Sequence, residues 1–341
     1  MILNLSNLRT GGGIQVAKGF LIEANRKKLN VSIHVSSDEL ADFVSSNTSL
    51  GFVRRPKGIF WRAIGNLYYA FNDSSWITLF GPDWSIWYSL KKHVVGYAKP
   101  HPVYGDLVYA NSLNISERVL YNVKNAAVKF WFRLIPTRIF AETQDVADCV
   151  RVFVNVEVDV ISNVINPLLD RESKVDIRTV SDRQLGNKPY FLYVGANYKH
   201  KNLELLIDSF LTVYGKTQEF DLVLTVPKMP NKRIHPNIHF LGPVNHEYLS
   251  SLYINCFCVI QPSILECFSA TYIEALYFGK PIIACDLPFA RSILGTNAVY
   301  FDPYDSESLL SRIRDVENLT SHVTPDFRFN NEDRYTEIIS L

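Results

Sequence analysis

Residues 257–285, FCVIQPSILECFSATYIEALYFGKPIIAC, hold a strand, a helix and a second strand with few residues to spare. The β-branched and apolar run Phe257 to Gln261 has the length of a buried strand. The loop behind it carries Glu266, and Ser269 or Thr271 stands where a helix cap belongs. Tyr272 to Phe278 then reads as helix, Gly279 and Pro281 stop it, and Ile282 to Cys285 is the next strand. Strands apolar along their whole length, with helices between them, belong to a parallel sheet covered on both faces.

The alternation continues in both directions. Upstream, Tyr190 to Gly195, Phe220 to Val226 and Ile238 to Gly242 read as strands, with helices at Leu203 to Val213 and His246 to Ile254; downstream a helix covers Ser306 to Val316. The front half opens with a strand at Ile2 to Leu5, the turn Gly11-Gly12-Gly13, a helix at Ile14 to Lys27 and a strand at Val31 to Val35. Strand and helix resume over Val103 to Ala110, Glu117 to Leu134, Arg138 to Ala141 and Val146 to Val152. The expected fold is α/β, with two Rossmann-like, doubly wound domains facing a cleft, and ligands beyond the carboxyl ends of the strands. Residues 1–165 form the first domain, a charged stretch of low apolar periodicity at 166–188 the connection, 189–325 the second domain, and 326–341 a terminal helix that packs back across the domains.

Composition agrees with a folded two-domain chain. The 341 residues are 47% hydrophobic and 20% charged, which excludes a disordered or collagenous polymer. The net charge of +1 argues against a dedicated nucleic-acid binder, although the part before residue 165 carries +5 and the remainder −4. Five cysteines, Cys149, Cys256, Cys258, Cys267 and Cys285, lie mostly in or beside apolar runs and read as core thiols of a cytoplasmic protein. The amino terminus reads as a strand and not as a signal peptide, and no uncharged apolar run approaches the ~18 residues that cross a bilayer.

Glu266 and Glu274 flank the start of the helix in the opening stretch. Free amides at a helix start favour a phosphate, and carboxylates accept hydrogen bonds from hydroxyls, so the pair suits a phosphorylated sugar. Spacing alone fits a loop acid and a solvated helix residue as well.

Several segments, taken in order, carry a resemblance. Glu266-Cys267-Phe268-Ser269 through Glu274-Ala275 and Gly279-Lys280-Pro281-Ile282-Ile283-Ala284 resembles the Glu-x7-Glu region of the retaining, GT-B-fold glycosyltransferases of family 4 (group 1), in the form found in bacterial polysaccharide and O-antigen synthesis. Tyr193-Val194-Gly195 with Lys199-His200-Lys201-Asn202, Phe240-Leu241-Gly242, Gln261-Pro262-Ser263 and Phe301-Asp302-Pro303 are similar to other segments of its donor domain. The resemblance implies a retaining, metal-independent transfer of a sugar from a nucleotide-diphosphate donor to a lipid-linked glycan. Glu266 would hold donor hydroxyls, Glu274 the ribose, and Lys201 the departing diphosphate, aided by backbone amides around Phe268, Ser269 and Ala270. Two departures stand out: Ala196 replaces a basic residue, for which Lys199 is the substitute, and Cys267 and Ser269 stand where glycines are common.

In the front half, Gly12 and Gly13 either let the backbone approach donor phosphates or belong to a dinucleotide-type turn; an ordinary tight turn needs no ligand. His93-Val94-Val95-Gly96-Tyr97-Ala98 is similar to a stretch of some bacterial polysaccharide glycosyltransferases, which implies an acceptor role for His93, less so for His101; a structural histidine is the alternative. No Asp-x-Asp triplet occurs, so no metal or other cofactor is expected. Two basic and aromatic segments, Arg54 to Phe71 and Lys124 to Arg138, suit an anionic membrane surface, unless their aromatics are core. The rival readings are a nucleotide-sugar epimerase on the same fold, a nicotinamide-dependent oxidoreductase, and a non-catalytic partner subunit.

Overall fold

Short runs of Ile, Val, Leu, Phe and Tyr form the strands, laid parallel to their neighbours; the inner ones are buried along most of their length, and the edge strands at 52–54, 158–160, 238–240 and 299–301 only in part. The computed structural model describes residues 1–9, 11–58, 75–84, 92–104, 110, 113–177, 185, 188–228, 235–315 and 333–341. They fall into two units, Met1–Asn166 with Asn331–Leu341, and Pro167–Asn330.

The first unit has seven parallel strands: β1 Ile2–Asn4, β2 Ser32–Val35, β3 Phe52–Arg54, β4 Trp76–Thr78, β5 His93–Tyr97, β6 Arg138–Ala141 and β7 Val158–Val160. Their spatial order is β3-β2-β1-β4-β5-β6-β7. The second has six: β8 Tyr190–Tyr193, β9 Asp221–Leu224, β10 Ile238–Phe240, β11 Cys258–Gln261, β12 Ile282–Cys285 and β13 Val299–Phe301, ordered β10-β9-β8-β11-β12-β13. In both sheets the chain winds outward on one side of its first strand and then returns to the other side. The order therefore reverses at β1/β4 and at β8/β11, the points where such sheets open a crevice at their carboxyl ends.

The last helix, Arg334–Ser340, is part of the first unit. Tyr335 and Ile338 are buried in the core made by Leu3, Phe20, Leu21 and Ile77, and the Tyr335 ring meets Phe20 edge-on at 4.9 Å. Arg334 is fully buried; it donates to Glu142 Oε1 at 3.1 Å and also to Asn163 Oδ1. The first described part of the stretch read as a connection lies on the second unit: Leu169 is buried, the Asp170 amide donates to Ser250 Oγ at 2.9 Å, and the Arg171 guanidinium lies 5.5 Å from the Tyr277 ring. His101–Tyr104 is a helical turn, where strand and helix were expected to resume, and residues 105–109 lie outside the described part.

Candidate active site

The crevice position of the second sheet is built from the loops that follow β8 and β11. Four contacts hold them together. Gln261 Nε2 donates to the Val194 carbonyl at 3.2 Å, and Thr271 Oγ1 donates to the same oxygen at 3.3 Å. The Ile264 amide donates to the His200 carbonyl at 2.8 Å, and Lys201 Nζ donates to Glu266 Oε1. Lys201 ends a helical turn over Lys199–Lys201, and Asn202 behind it takes the left-handed conformation with φ 51°. That residue turns the chain into the helix Leu203–Tyr214 and fixes the lysine beside the carboxylate.

Behind this pair stands the second acid. Glu274 lies one turn inside the helix Ala270–Tyr277 and is 8% exposed. Burial holds its carboxyl above the ordinary range, while a 2.6 Å hydrogen bond from the Tyr253 hydroxyl opposes that shift. The Tyr253 phenol is fully buried, and burial together with Glu274 pushes its own pKa well up, so it acts as a hydrogen-bond donor and not as an acid. Its ring stacks on Phe278 with centroids 5.1 Å apart and planes 7° apart. Burial and the nearby Glu266 likewise raise the Tyr193 phenol, whose hydroxyl donates to the Ala196 carbonyl at 3.0 Å.

Of the residues singled out in sequence, Lys201, Glu266, Cys267, Phe268, Ser269, Ala270 and Glu274 are gathered at this one end of the sheet. Cys267 and Ser269 are buried, Phe268 and Ala270 half-buried, and Lys199 exposed on the rim. Ser269 precedes the helix without a side-chain cap bond, so its first amides are not served by that hydroxyl. Sequence reasoning missed Tyr253 and Gln261 as parts of the site. Tyr253 has the local look of any apolar helix position, and its partner is 21 residues away.

The front-half candidates sit on the first unit. Gly11 (φ 79°) turns the chain after β1, Gly12 begins the helix Gly12–Arg26, and a Cβ added at Gly12 would meet nothing within 4 Å. Packing within the unit thus does not explain glycine at 12, whereas a Cβ at Gly13 would meet Leu8 at 3.2 Å. His93 lies on the same unit. It is the first residue of β5 and fully buried, and a 2.9 Å hydrogen bond joins its Nε2 to Thr78 Oγ1, at the carboxyl end of β4. Burial lowers its pKa to about 4, so the ring is neutral over the physiological range. Thr78 and Asn4 share Asp83, with Asn4 Nδ2 donating at 2.8 Å, and this buried polar network is where His93 belongs. Gly96, in the same motif, is required because a Cβ would lie 1.9 Å from the Leu79 carbonyl oxygen. The stretch that suggested an acceptor role is a buried strand, and its histidine is hydrogen-bonded inside that network. His101 begins the helical turn His101–Tyr104, with its ring edge-on to Tyr121 at 5.5 Å.

Among the described residues no group of three or more His, Cys, Asp or Glu side chains is placed to hold a metal ion.

The comparisons match this geometry. The family model described as "Glycosyl transferases group 1" matches residues 178–324. The chain is similar to the O-antigen chain mannosyltransferase RfbU of Salmonella typhimurium, 32% identical over 152 residues, 42% of this chain and 41% of that one. It is also similar to O-antigen chain mannosyltransferase C of Escherichia coli, 26% identical over 163 residues, 44% of this chain and 43% of that one. The chain thus spans about two fifths of the length of these curated relatives. Solved structures agree over 99% of this chain: Anabaena HepE in complex with UDP-glucose (TM-score 0.69, 14% identity, 98% of that chain) and WaaG, a glycosyltransferase involved in lipopolysaccharide biosynthesis (0.66, 15%, 95%). A putative UDP-N-acetylglucosamine 2-epimerase of Listeria monocytogenes has the same fold (0.62, 12%, 94%). With two parallel-sheet units of the GT-B type and a matched segment that contains the Lys201, Glu266 and Glu274 site, residues 178–324 of this chain are a glycosyl transferases group 1 domain.

Proposed function

We propose that this protein is a retaining, metal-independent glycosyltransferase that moves a sugar from a nucleotide-diphosphate donor to a lipid-linked glycan in O-antigen or related cell-surface polysaccharide synthesis, at the cytoplasmic face of the membrane. The observation that carries the reading is the Lys201 and Glu266 contact at the β8/β11 switch point, with the buried Glu274 one turn inside the helix that follows. The names of the two curated relatives support a mannosyl donor and an O-antigen acceptor.

The residues divide the work by charge. Glu274, oriented by Tyr253, accepts hydrogen bonds from the ribose hydroxyls, and Glu266 accepts from hydroxyls of the transferred sugar. Lys201 shifts from Glu266 toward the diphosphate, where its ammonium offsets negative charge that grows as the leaving group departs. Helix amides beginning at Ser269 and Ala270 donate to the same group. In a retaining transfer of this kind the bond from the anomeric carbon to the phosphate oxygen breaks, and the acceptor oxygen bonds that carbon on the vacated face. The acceptor proton passes to the departing phosphate.

The test begins with a thermal-shift panel of nucleotide sugars, because a ligand of the native state raises the melting temperature. Transfer is then followed with the responding donor and a lipid-linked acceptor, with product anomer read by NMR and EDTA added in parallel. Retention and EDTA resistance are expected; inversion or EDTA loss contradicts the mechanism. The second reading, an epimerase, is favoured by the shared fold of the Listeria protein. Incubation without acceptor separates the two, since an epimerase yields an isomeric nucleotide sugar.

A further inference from the structure

The diphosphate of a nucleotide sugar carries two negative charges, and Lys201 answers one of them. The basic and aromatic segments belong to the first unit: residues 59–71 lie outside the described part, and Lys124, Lys129 and Arg133 are on the helix Ile115–Leu134. In the loop after β8 the other bases are Lys199, exposed on the rim, and His200, half-buried between the two lysines. The backbone of His200 is pinned to the loop that carries Glu266 by the 2.8 Å bond from the Ile264 amide to its carbonyl. Its ring lies nearly parallel to that of Tyr198, with centroids 5.6 Å apart and planes 19° apart. Tyr198 is 48% exposed, so the stack belongs to the surface of the loop and not to the core. Burial holds the His200 pKa below the ordinary histidine value. Two charged groups act on the ring: Glu266, from the loop after β11, favours its protonated form, and Lys201, on its own turn, opposes it.

We propose that His200 is the second cation for the donor diphosphate, taking up a proton from solvent as a nucleotide sugar enters and holding phosphate as an imidazolium. The sign follows from the charges. Without ligand, Glu266 is already answered by the Lys201 ammonium, and burial keeps the imidazole neutral. When the donor binds, Lys201 turns toward the diphosphate, Glu266 turns to the sugar hydroxyls, and two negative charges arrive beside the ring. An anion within hydrogen-bond reach favours the charged form of a histidine, and the resulting bond is of the stronger, charge-assisted kind. The Tyr198 ring helps, because an aromatic face attracts a cation laid against it. The proton returns to solvent when the nucleoside diphosphate leaves. Lys199 would bring a permanent charge and take up no proton, so proton uptake distinguishes the two bases. The role of His200 rests on the proposed function for the identity of the ligand and deepens it by naming a further residue that binds it.

The test is calorimetric titration with nucleotide sugars of the common bases, GDP-mannose and UDP-glucose first. Their esterified diphosphates do not titrate near neutral pH, unlike that of a free nucleoside diphosphate. Repeating each titration in buffers of different ionisation enthalpy counts the protons exchanged. Ionisation of Glu274 on binding would release a proton, the opposite sign, so the count is compared between the wild type and His200→Asn under the same conditions. The Ile264 bond is to backbone and survives the substitution, and the melting temperature without ligand checks that the variant is folded. The wild type is expected to take up more protons than His200→Asn, by up to one. Where the ring titrates, wild-type affinity falls by up to about tenfold per pH unit relative to that of His200→Asn, and the two converge at alkaline pH. His200→Arg, permanently charged, keeps at alkaline pH the affinity that the wild type shows at acid pH. Equal proton counts in the wild type and His200→Asn, with binding intact, overturn the role of His200 and leave the proposed function standing. No binding of any of these nucleotide sugars by the wild type overturns both.

Discussion

Tyr253→Phe removes one hydroxyl from behind Glu274 and leaves the ring stacked on Phe278. The lost group donates at 2.6 Å to Glu274 Oε2 in a site where both side chains are buried. A hydrogen bond to a charged group contributes about 1.5–3 kcal/mol. At about 1.4 kcal/mol per factor of ten, affinity for nucleoside diphosphate near neutral pH therefore falls by roughly 10- to 150-fold. The change also carries a pH signature. Burial already raises the Glu274 carboxyl and the Tyr253 hydroxyl holds it down, so the variant's carboxylate forms only at higher pH. Its affinity should then recover on going from neutral to alkaline buffer more than that of the wild type. Isothermal titration calorimetry with a panel of nucleoside diphosphates across that range measures both effects. Affinity within about threefold of the wild type, or parallel pH profiles, would refute the assignment of the ribose contact to this carboxylate.

Arg334→Met strands the buried Glu142 carboxylate and costs the first unit about 3–5 kcal/mol, read by urea unfolding, while Arg334→Met with Glu142→Leu recovers most of the loss. His93 supplies a pH prediction: its folded pKa of about 4 lies below the unfolded value of 6.5, so the unfolded chain binds more protons between them. That stability is complete above 6.5 and is lost as pH falls toward 4, by up to about 3 kcal/mol. His93→Gln flattens this acid limb in thermal unfolding, leaving the share of His34, which burial also lowers to about 4; an unaltered limb contradicts a neutral buried ring. Lys201→Met lowers turnover by about 10²–10³-fold, the range for losing one charge-stabilising donor, and a steady-state rate near wild type would remove this ammonium from the leaving group.

Most of the second sheet was legible because four of its six strands are four-residue, largely apolar runs separated by helices with clear stops, and Gly279 and Pro281 end one helix at the expected place; the three-residue edge strand Val299–Phe301 was not read. The Glu266 and Glu274 site could be read for the same reason, since it lies within one strand, loop and helix. The first sheet was harder. β3, β4 and β7 are three residues each, too short to show alternation, and β5 was read as a motif because His93, Gly96 and Tyr97 are chemically conspicuous. In the fold all three are buried: a histidine in a polar network, a glycine against a carbonyl and a core tyrosine. Arg334 was illegible for a related reason, because arginine is seldom enclosed unless a distant partner awaits it, and Glu142 lies 192 residues earlier. Lys129, Phe130 and Arg133 were noticed, yet only the folded helix separates Phe130, which faces outward, from the enclosed Trp131 and Phe132.

The placement of the terminal helix has a consequence for synthesis. A ribosome makes residues 1–166, then the whole of the second unit, and only after it delivers Tyr335 and Ile338, which fill the core of the lobe begun first. The lobe that emerges earliest is completed last. A nascent chain that stops short of Arg334 exposes the apolar surface those residues cover, a target for chaperones and proteases until the helix arrives.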